Sequence, residues 1–390
     1  MSGEALRGNW NYPTPIRFGA GRIAELADGC RALGMARPLL VTDPGLAGTA
    51  MVLDAIAANE RAGLPTGLFA EVRPNPTGSN VEAGLAAYRA GGHDGVIAFG
   101  GGSAIDVAKA VALMVGQRRP IWDFEDREDW WTRVDVSGMA PVVAVPTTSG
   151  TGAEVGRVSV ITDEAGPTKK LIFHPRMMPG LVIDDPALTL GLPPHLTAAT
   201  GMDALAHNLE AYCAQGFHPM AEGIALEGMR LIKDWLPVAV TDGWNLEARA
   251  RMMIASTMGA TAFQKGLGAI HALSHPVGSL YDTHHGLTNA VFMPYVLAFN
   301  RPAIAERLTA LARYLGLPSA SPEAVIEWTL DLRARIGIPH TLAALGVPEQ
   351  GLAALVPLVL NDQAAACNPR PMSPGDVEAL LRSAWRGELS

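Results

Sequence analysis

The sequence predicts two domains, an α/β domain over residues 1–185 and an all-helical domain over residues 186–390. Three observations predict this division. The 390 residues exceed what a single core usually contains. Short apolar runs alternate with amphipathic segments in the first half, whereas long stretches rich in alanine, leucine, methionine and glutamate replace them in the second half. With 48% hydrophobic and 17% charged residues, the chain has enough apolar surface to fill both cores.

The first half contains four apolar runs with the length of buried strands. They occupy residues 38–43, 66–72, 94–102 and 140–148. Helix-like segments at residues 22–34, 80–92 and 103–115 lie between or beside these runs. Continuous apolar strands that alternate with helices are typical of a parallel sheet covered on its faces, so we expect that architecture here.

The second half has helical periodicity, which is clearest at residues 196–214 and 221–236. Strand-like runs are missing from the sequence after the segment VIDDPAL at 182–188. A further helix is expected around His271 and His275, and we expect it to bend or stop at Pro276, since proline removes a helix hydrogen bond. The second domain is therefore predicted to be all-helical.

The charge and cysteine content exclude several classes of function. The net charge is −8 and no basic patch is visible, which argues against nucleic acid and anionic membranes as partners. The sequence contains no run of about 18 apolar residues, so no membrane span is predicted. The first twenty residues lack the apolar core of a signal peptide. The three cysteines are far apart and match no zinc or disulfide spacing. We expect a cytoplasmic protein.

A glycine turn joins the third predicted strand to a helix in AFGGGSAIDVAKA, residues 98–110. Three successive glycines allow close backbone approach, and the first turn of the helix presents unpaired N–H groups to an anion such as a pyrophosphate. The segment is neither the GxGxxG fingerprint nor a Walker motif. An ordinary strand-to-helix turn is the alternative explanation.

Two other strand ends carry polar side chains. Asp43 ends the first apolar run, where an acid can bind ribose hydroxyls and repel a 2′-phosphate, which favours NAD over NADP. The segment PTTSGTGAEV, residues 146–155, offers hydroxyl and backbone donors after the fourth run. The alternatives are a turn residue before Pro44 and a polar loop that caps a helix.

Carboxylate and imidazole groups cluster in the second half. Asp203 and His207 are four residues apart and share one helix face, as do His271 and His275, and His285 follows. Nitrogen and oxygen donors without sulfur suit Fe(II) or Zn(II). Four ligands suffice when a position is kept for substrate, and spacing alone does not choose between His271 and His275. Surface pairs or internally satisfied pairs are the alternative.

The chain resembles the iron-containing (group III) alcohol dehydrogenases over roughly residues 10–385. The matching motifs are NPT (75–77), GGGSAIDVAKA, PTTSGTGAEV, ITDE (161–164), DDPAL, LTAATGMDALAHNLEAY, GAIHALSHPVG, HGLTNAVFMPYVLAFN (285–300) and NPRP (368–371). The resemblance implies a dehydroquinate synthase-like fold, with an N-terminal dinucleotide-binding α/β domain and a C-terminal helical metal-binding domain. It agrees with the boundary placed from composition.

The resemblance also implies site residues. It places the four metal ligands at Asp203, His207, His271 and His285, and it leaves His275 in the active site as a non-ligand. We expect His275 to relay a proton between the alkoxide and solvent. The implied cofactor-binding residues are Asp43, Asn75, Gly101, Gly102, Ser103, Thr147, Thr148 and Lys170. One departure concerns His284, which stands where many relatives have proline and which is expected in solvent or behind the ligands.

The implied activity is reversible, metal-dependent hydride transfer between NAD(H) and an alcohol/aldehyde or ketone pair, with Fe(II) or else Zn(II). A reductase of an acidic carbonyl (maleylacetate or a semialdehyde), a dehydroquinate synthase-type lyase and a silent NAD-binding paralogue are the alternatives. Retention of the four ligand positions counts against a maleylacetate reductase and a silent paralogue. A homodimer or larger homo-oligomer is expected, with the segment at residues 9–21 as a candidate for pairing between subunits.

Overall fold

The computed structural model describes residues 12–166 and 168–389. Part of the N-terminal segment predicted to pair between subunits, residues 9–11, lies outside the described residues. The described chain forms two compact units. The α/β unit comprises Pro13–Thr148 and Gly152–Leu190, and the helical unit comprises residues 191–389 together with Tyr12 and Ser149–Thr151.

The α/β unit contains a six-stranded parallel sheet and a two-stranded antiparallel hairpin. The strands are β1 (Ile16–Phe18), β2 (Pro38–Val41), β3 (Gly67–Phe69), β4 (Gly95–Gly100), β5 (Val142–Pro146), β6 (Val158–Asp163), β7 (Thr168–Phe173) and β8 (Leu181–Asp184). The sheet order is β1-β8-β5-β4-β2-β3, and β6 pairs with β7. The helices are α1 (Leu26–Ala32), α2 (Pro44–Ala47), α3 (Ala50–Arg61), α4 (Gly78–Ala90) and α5 (Gly102–Met114).

The central strands are buried along their whole length. Every residue of β2, β4, β5 and β8 is buried, which is the condition of a sheet covered on both faces and explains their continuous apolar sequences. The four predicted strands and the three predicted helical segments all appear. The hairpin β6–β7 and the short strands β1 and β8 were not predicted.

The helical unit contains no strand within the described residues. Its helices are α6 (Pro194–Cys213), α7 (Pro219–Thr241), α8 (Leu246–Ala262), α9 (Ala269–Tyr281), α10 (His285–Tyr314), α11 (Pro322–Arg335), α12 (Leu352–Leu360) and α13 (Pro374–Arg386). Among the described residues, no helix is both long and apolar enough to cross a membrane. The predicted fold class, an α/β domain followed by a helical domain, is confirmed.

Helix α6 is the central element of the helical unit. Residues on all of its sides are buried, as expected for a helix packed against neighbours around its whole circumference. Its many alanines let neighbouring helices approach closely. A buried carboxylate and a buried imidazole on such a helix are unfavourable unless they are paired, so Asp203 and His207 require partners.

The helix around His271 and His275 was expected to bend or stop at Pro276. It does not stop there, because α9 runs from Ala269 to Tyr281 with the proline in its interior. The helix continues for more than one turn after the proline, and Val277 and Gly278 in this turn are buried. Tertiary packing of this apolar segment outweighs the loss of one hydrogen bond.

Candidate functional site

The carboxyl ends of β2 and β4 lie side by side where the chain order of the sheet reverses. Strand β2 continues to β3 on one side, whereas β4 continues to β5 on the other. In open parallel sheets, ligands bind outside the carboxyl ends of the strands at such a reversal. Asp43 follows β2 and the glycine turn follows β4, so the fold brings these two sequence-predicted features to one point of the sheet edge.

The glycine turn depends on the absence of side chains. Gly100 has φ of 144°, a conformation that other residues rarely adopt, and a Cβ there would lie 2.9 Å from the Ala104 Cβ and 3.6 Å from Asp43 Oδ2. Helix α5 begins at Gly102, and no described side chain caps it through a hydrogen bond. Its first-turn N–H groups are therefore placed to bind an anion.

Among the described residues, Asp43 accepts hydrogen bonds through one of its two carboxylate oxygens. Oδ1 accepts hydrogen bonds from the N–H groups of Gly45 (2.9 Å) and Leu46 (3.1 Å), which caps α2. Asp43 thus has the turn role before Pro44 that the sequence offered as the alternative. Because Oδ2 faces the glycine turn, the same side chain can also meet a ligand bound there.

Other predicted cofactor residues surround the same turn. The Ser103 hydroxyl donates to the carbonyl oxygen of Pro74, which ties the start of α5 to the segment that contains Asn75. The Thr147 N–H donates to the Gly100 carbonyl oxygen at 3.0 Å. The Thr148 side chain lies 3.5 Å from the position of a Cβ on Gly101. The fold therefore gathers residues from three loops around the start of α5.

Lys170 lies on the hairpin that was not predicted. Its Nζ is 2.7 Å from Asp163 Oδ2 and 5.0 Å from the centre of the Trp122 ring. The hydrogen bond from Lys170 lowers the pKa of the Asp163 carboxyl. The hairpin is joined to the Asn75 segment, since the Thr162 N–H donates to the Pro76 carbonyl oxygen at 2.7 Å.

The second cluster lies in the helical unit, where three helices direct polar atoms at one carboxylate. Around Asp203 Oδ1, the Nε2 atoms of His207 and His271 are each 3.9 Å away, and that of His285 is 3.5 Å away. We call Asp203, His207, His271 and His285 the cage residues. The ligand atoms of Asp203, His207 and His271 all lie within 4.8 Å of one another, which is close enough to hold one metal ion.

Close packing between α6 and α10 brings His285 into this cluster. The neighbouring residue Gly286 lies against α6, and a Cβ on it would collide with the Ala199 carbonyl oxygen and lie 3.2 Å from the Asp203 Cβ. The absence of a side chain at Gly286 thus allows the first turn of α10 to reach Asp203.

Hydrogen bonds fix the ring orientation of two cage histidines. His271 Nδ1 is 2.6 Å from Glu210 Oε2, and Glu210 Oε1 accepts from the Ile270 N–H at 2.6 Å. His207 Nδ1 lies 3.4 Å from the Gly150 carbonyl oxygen. Each Nδ1 donates to an oxygen, so each Nε2 presents its lone pair to the cage, the arrangement that metal-binding histidines usually have.

Burial and charge act differently on these two imidazoles. Burial lowers the pKa of His207 to about 4, although nearby Asp203 opposes the shift. Burial also acts to lower the pKa of His271, but the hydrogen bond and charge of Glu210, together with Asp203, raise it overall. His207 is therefore neutral at pH 7, as a metal ligand must be.

His275 lies beside the cage with a partner of its own. Its Nδ1 is 2.9 Å from Asp362 Oδ2, and its ring stacks on His285 with centroids 5.4 Å apart. Neither His275 nor His285 belongs to the three-residue group that the ligand distances define, and His285 joins the cage through its 3.5 Å approach to Asp203. His284 is exposed at the start of α10, where its carbonyl oxygen accepts from the Thr288 N–H at 3.0 Å.

Comparison with known proteins places this arrangement in a family. The model for iron-containing alcohol dehydrogenases matches residues 13–186, and the model for the C-terminal region of that family matches residues 197–385. The chain belongs to the iron-containing alcohol dehydrogenase family. The prediction from sequence motifs is thereby confirmed, as is the prediction of an oxidoreductase of the alcohol dehydrogenase class.

Three relatives of this family illustrate the similarity. A 4-hydroxybutyrate dehydrogenase of Cupriavidus necator is 40% identical over 380 residues, which cover 95% of this chain and 98% of the relative. The crystal structure of a 1,3-propanediol oxidoreductase has a TM-score of 0.92 at 35% identity and covers 97% of this chain and 100% of that one. Sulfoacetaldehyde reductase from Bifidobacterium kashiwanohense, in complex with NAD⁺, has a TM-score of 0.87 at 30% identity, with coverages of 97% and 99%.

Sequence reasoning missed three residues that contact the predicted site residues. Glu210 orients His271, Asp362 binds His275, and Asn289 donates to Asp203 at 2.7 Å. Glu210 carried a usable signal, since it lies three residues after His207 and therefore on the same side of the helix. Asn289 lies four residues after His285, but Asp362 is remote in sequence from His275 and no local pattern indicates it.

Proposed function

We propose that this chain is a metal-dependent, NAD(H)-linked oxidoreductase that interconverts an alcohol with an aldehyde or ketone by hydride transfer. The observation that carries the proposal is the convergence of three imidazole Nε2 atoms on Asp203 Oδ1 in a member of the iron-containing alcohol dehydrogenase family. Residues 1–185 form the dinucleotide-binding domain in this proposal, and residues 186–390 form the metal-binding catalytic domain.

NAD is the proposed cofactor of the first domain, with NADP as the weaker choice. Its pyrophosphate binds at the start of α5 through Gly101, Gly102 and Ser103, and Asp43 Oδ2 accepts from ribose hydroxyls. Asn75, Thr147, Thr148 and Lys170 complete the proposed site. Support comes from the sheet reversal at β2 and β4 and from the NAD⁺ complex of the sulfoacetaldehyde reductase.

The cage residues Asp203, His207, His271 and His285 are the proposed metal ligands. They fit a divalent cation because they offer one carboxylate and three imidazoles, of which His207 is neutral at pH 7, and this set without sulfur suits Fe(II) or Zn(II). When bound, a divalent cation supplies Lewis acidity toward the substrate oxygen. Glu210 holds His271 in the orientation that presents Nε2.

His275 is the proposed proton relay. Asp362 accepts from its Nδ1, which leaves Nε2 as the ring nitrogen that takes the hydroxyl proton when an alcohol is oxidised, or returns it to the oxygen of a carbonyl substrate that is reduced by hydride. Asp362 Oδ1 also accepts from the Ala364 N–H at 2.9 Å, so the carboxylate is anchored at both oxygens. The His275–Asp362 pair therefore fixes where the transferred proton is held on the imidazole ring, without relying on the cage residues.

We further propose that the enzyme is cytoplasmic and forms a homodimer or larger homo-oligomer. Two of its three cysteines, Cys30 and Cys213, are buried as free thiols, which suits a reducing compartment. The expected partner is a small alcohol or aldehyde, and neither nucleic acid nor a membrane is expected.

A second candidate is reduction of a semialdehyde, an aldehyde that carries its own carboxylate. The observation that favours it is the 40% identity to a 4-hydroxybutyrate dehydrogenase, because 4-hydroxybutyrate is an alcohol of this kind. Both candidates use the same chemistry and differ only in the charge of the substrate.

The experiment is anaerobic NADH oxidation by protein stripped of metal and then reloaded with Fe(II) or Zn(II). Butanal and succinic semialdehyde serve as uncharged and charged substrates of equal carbon number, and NADPH replaces NADH in a parallel series. We expect activity only after metal is restored and with NADH preferred. Equal activity in the stripped protein would refute the metal-dependent mechanism, and a strong preference for the semialdehyde would favour the second candidate.

A further inference from the structure

Asn289 is a fully buried asparagine one turn after His285 on α10. Its Nδ2 donates to Asp203 Oδ1 at 2.7 Å and lies 3.1 Å from His285 Nε2 and 3.3 Å from His271 Nε2. Its Oδ1 is buried and has no hydrogen-bond partner within the described part of the chain. One amide nitrogen therefore faces three atoms that belong to the proposed cage.

The orientation of this amide follows from its neighbours. An ionised carboxylate only accepts hydrogen bonds, so the Asn289 atom that faces Asp203 must be the NH₂ group. When the His271 ring is neutral, donation from Nδ1 to Glu210 leaves the lone pair on Nε2, which faces Asn289. The two hydrogens of the Asn289 NH₂ group thus point toward Asp203 Oδ1 and the Nε2 atoms of His271 and His285.

The unpartnered Oδ1 of Asn289 is unfavourable, so the presence of an asparagine at this position needs an explanation. A buried amide oxygen without a hydrogen-bond partner destabilises the folded protein relative to one that is hydrogen-bonded. An apolar side chain at position 289 would avoid that loss, but it would leave Asp203 Oδ1 without the hydrogen bond that the Asn289 NH₂ group donates at 2.7 Å. The contact with Asp203 accounts for an asparagine here.

We propose that Asn289 is a positioning residue that keeps the metal cage assembled before a cation binds. Its NH₂ group takes the hydrogen-bond positions that Asp203, His271 and His285 offer in the metal-free protein, and this holds α6, α9 and α10 in register. The proposal rests on the metal site assigned under Proposed function. A cage that is already assembled binds a cation more tightly, since less ordering accompanies binding.

The test compares Asn289→Ala with Asn59→Ala. Asn59 is a matched control because it is also fully buried with an unpartnered Oδ1, but it lies on α3 in the α/β unit. The Zn(II) dissociation constant is measured by competition with a chromophoric chelator, and the unfolding temperature is measured with and without Zn(II). We expect Asn289→Ala to weaken Zn(II) binding roughly 10- to 100-fold. Asn59→Ala should lower both unfolding temperatures by a similar amount and leave the dissociation constant unchanged.

Asn289→Asp provides a second variant of nearly the same shape. It sets a carboxyl against Asp203, so the stripped protein should unfold at a lower temperature than the wild type. Equal unfolding temperatures of the stripped Asn289→Asp and wild-type proteins would overturn the proposal, because loss of the NH₂ group would then leave the metal-free cage as stable as before.

The remaining outcomes distinguish failure of the positioning role of Asn289 from failure of the proposed metal site. Wild-type protein that binds no Zn(II) and no Fe(II) would refute the proposed metal site itself. Wild-type binding together with an unchanged dissociation constant in Asn289→Ala would overturn the positioning role alone. Loss of binding as complete as in Asp203→Ala would overturn it too, since Asn289 would then be a ligand.

Discussion

The two proposed sites differ in the groups that form them, since one consists mainly of backbone and the other of side chains. The nucleotide site relies mainly on backbone, namely the glycine turn at residues 100–102 and the first N–H groups of α5. The metal cage relies on side chains from three helices, α6, α9 and α10, that meet at Asp203 Oδ1. A backbone site follows from one local strand–turn–helix segment, whereas a side-chain site exists only if distant helices pack correctly. The cage should therefore respond far more strongly to single substitutions.

The largest effect is expected from Gly286→Ala. The new Cβ collides with the Ala199 carbonyl oxygen, so α10 must move away from α6 and carry His285 with it. Metal affinity should fall more than roughly 100-fold, beyond the loss typical of residues behind the ligands. The measurement is metal content after anaerobic dialysis.

Gly223→Ala is the matched control for Gly286→Ala. Gly223 also lies within a helix, but a Cβ there meets nothing within 4 Å. This variant should keep its metal and gain about 0.5–1 kcal/mol of stability, because alanine favours helix over glycine. A Gly286→Ala protein that retains wild-type metal content would show that the cage tolerates movement of α10.

The next largest effect concerns His275. Replacement by alanine removes the proposed proton relay, and kcat should fall roughly 10²- to 10⁴-fold. Asp362→Asn should reduce kcat less, because the ring remains but its orientation is held more weakly. Steady-state kinetics at saturating NADH and aldehyde measure both variants. A His275→Ala enzyme with wild-type kcat would remove this residue from the mechanism.

A smaller effect is expected from Glu210→Gln. Glutamine keeps one acceptor oxygen and has an NH₂ group in place of the other, so it can accept from the Ile270 N–H or from His271 Nδ1 but not from both, and it lacks the charge. Metal affinity should fall roughly 10- to 100-fold, as is typical when the partner of a ligating histidine is changed. Chelator competition measures the change, and the exposed Glu247→Gln on α8 should give the wild-type value.

The smallest effect is expected in the backbone-built site. Asp43→Asn keeps an oxygen that caps α2 and removes the negative charge that would face a 2′-phosphate. The ratio of kcat/KM for NADPH to that for NADH should rise about tenfold, since a like-charge contact is relieved. The metal content should stay the same. An unchanged ratio would place the ribose away from Asp43.

The sequence predicted the fold and the nucleotide turn because their signals are local. Strand β4, the three glycines and α5 are contiguous, and the burial of β4 on both faces shows directly in its apolar run. The hairpin β6–β7 was missed because its strands alternate only weakly between buried and partly buried positions. The helix does not stop at Pro276, which was one of the two outcomes expected there, because packing outweighs the local propensity of that segment.

The cage was predictable in composition but not in arrangement. Spacing on α6 pairs Asp203 with His207, yet it does not distinguish His271 from His275 on α9. The distinction depends on Glu210, which holds His271, and on Asp362, which holds His275, and both contacts are tertiary. Only the packed helices show which imidazole belongs to which carboxylate.

The central claim is that His271 is a metal ligand and that His275, one turn further along the same helix, is not. Metal content of the purified His271→Ala and His275→Ala proteins, reloaded anaerobically with Fe(II) and measured by elemental analysis, tests it most directly. The account predicts almost no iron in His271→Ala and a wild-type amount in His275→Ala. Loss of iron from His275→Ala as complete as from His271→Ala would contradict the assignment of the cage.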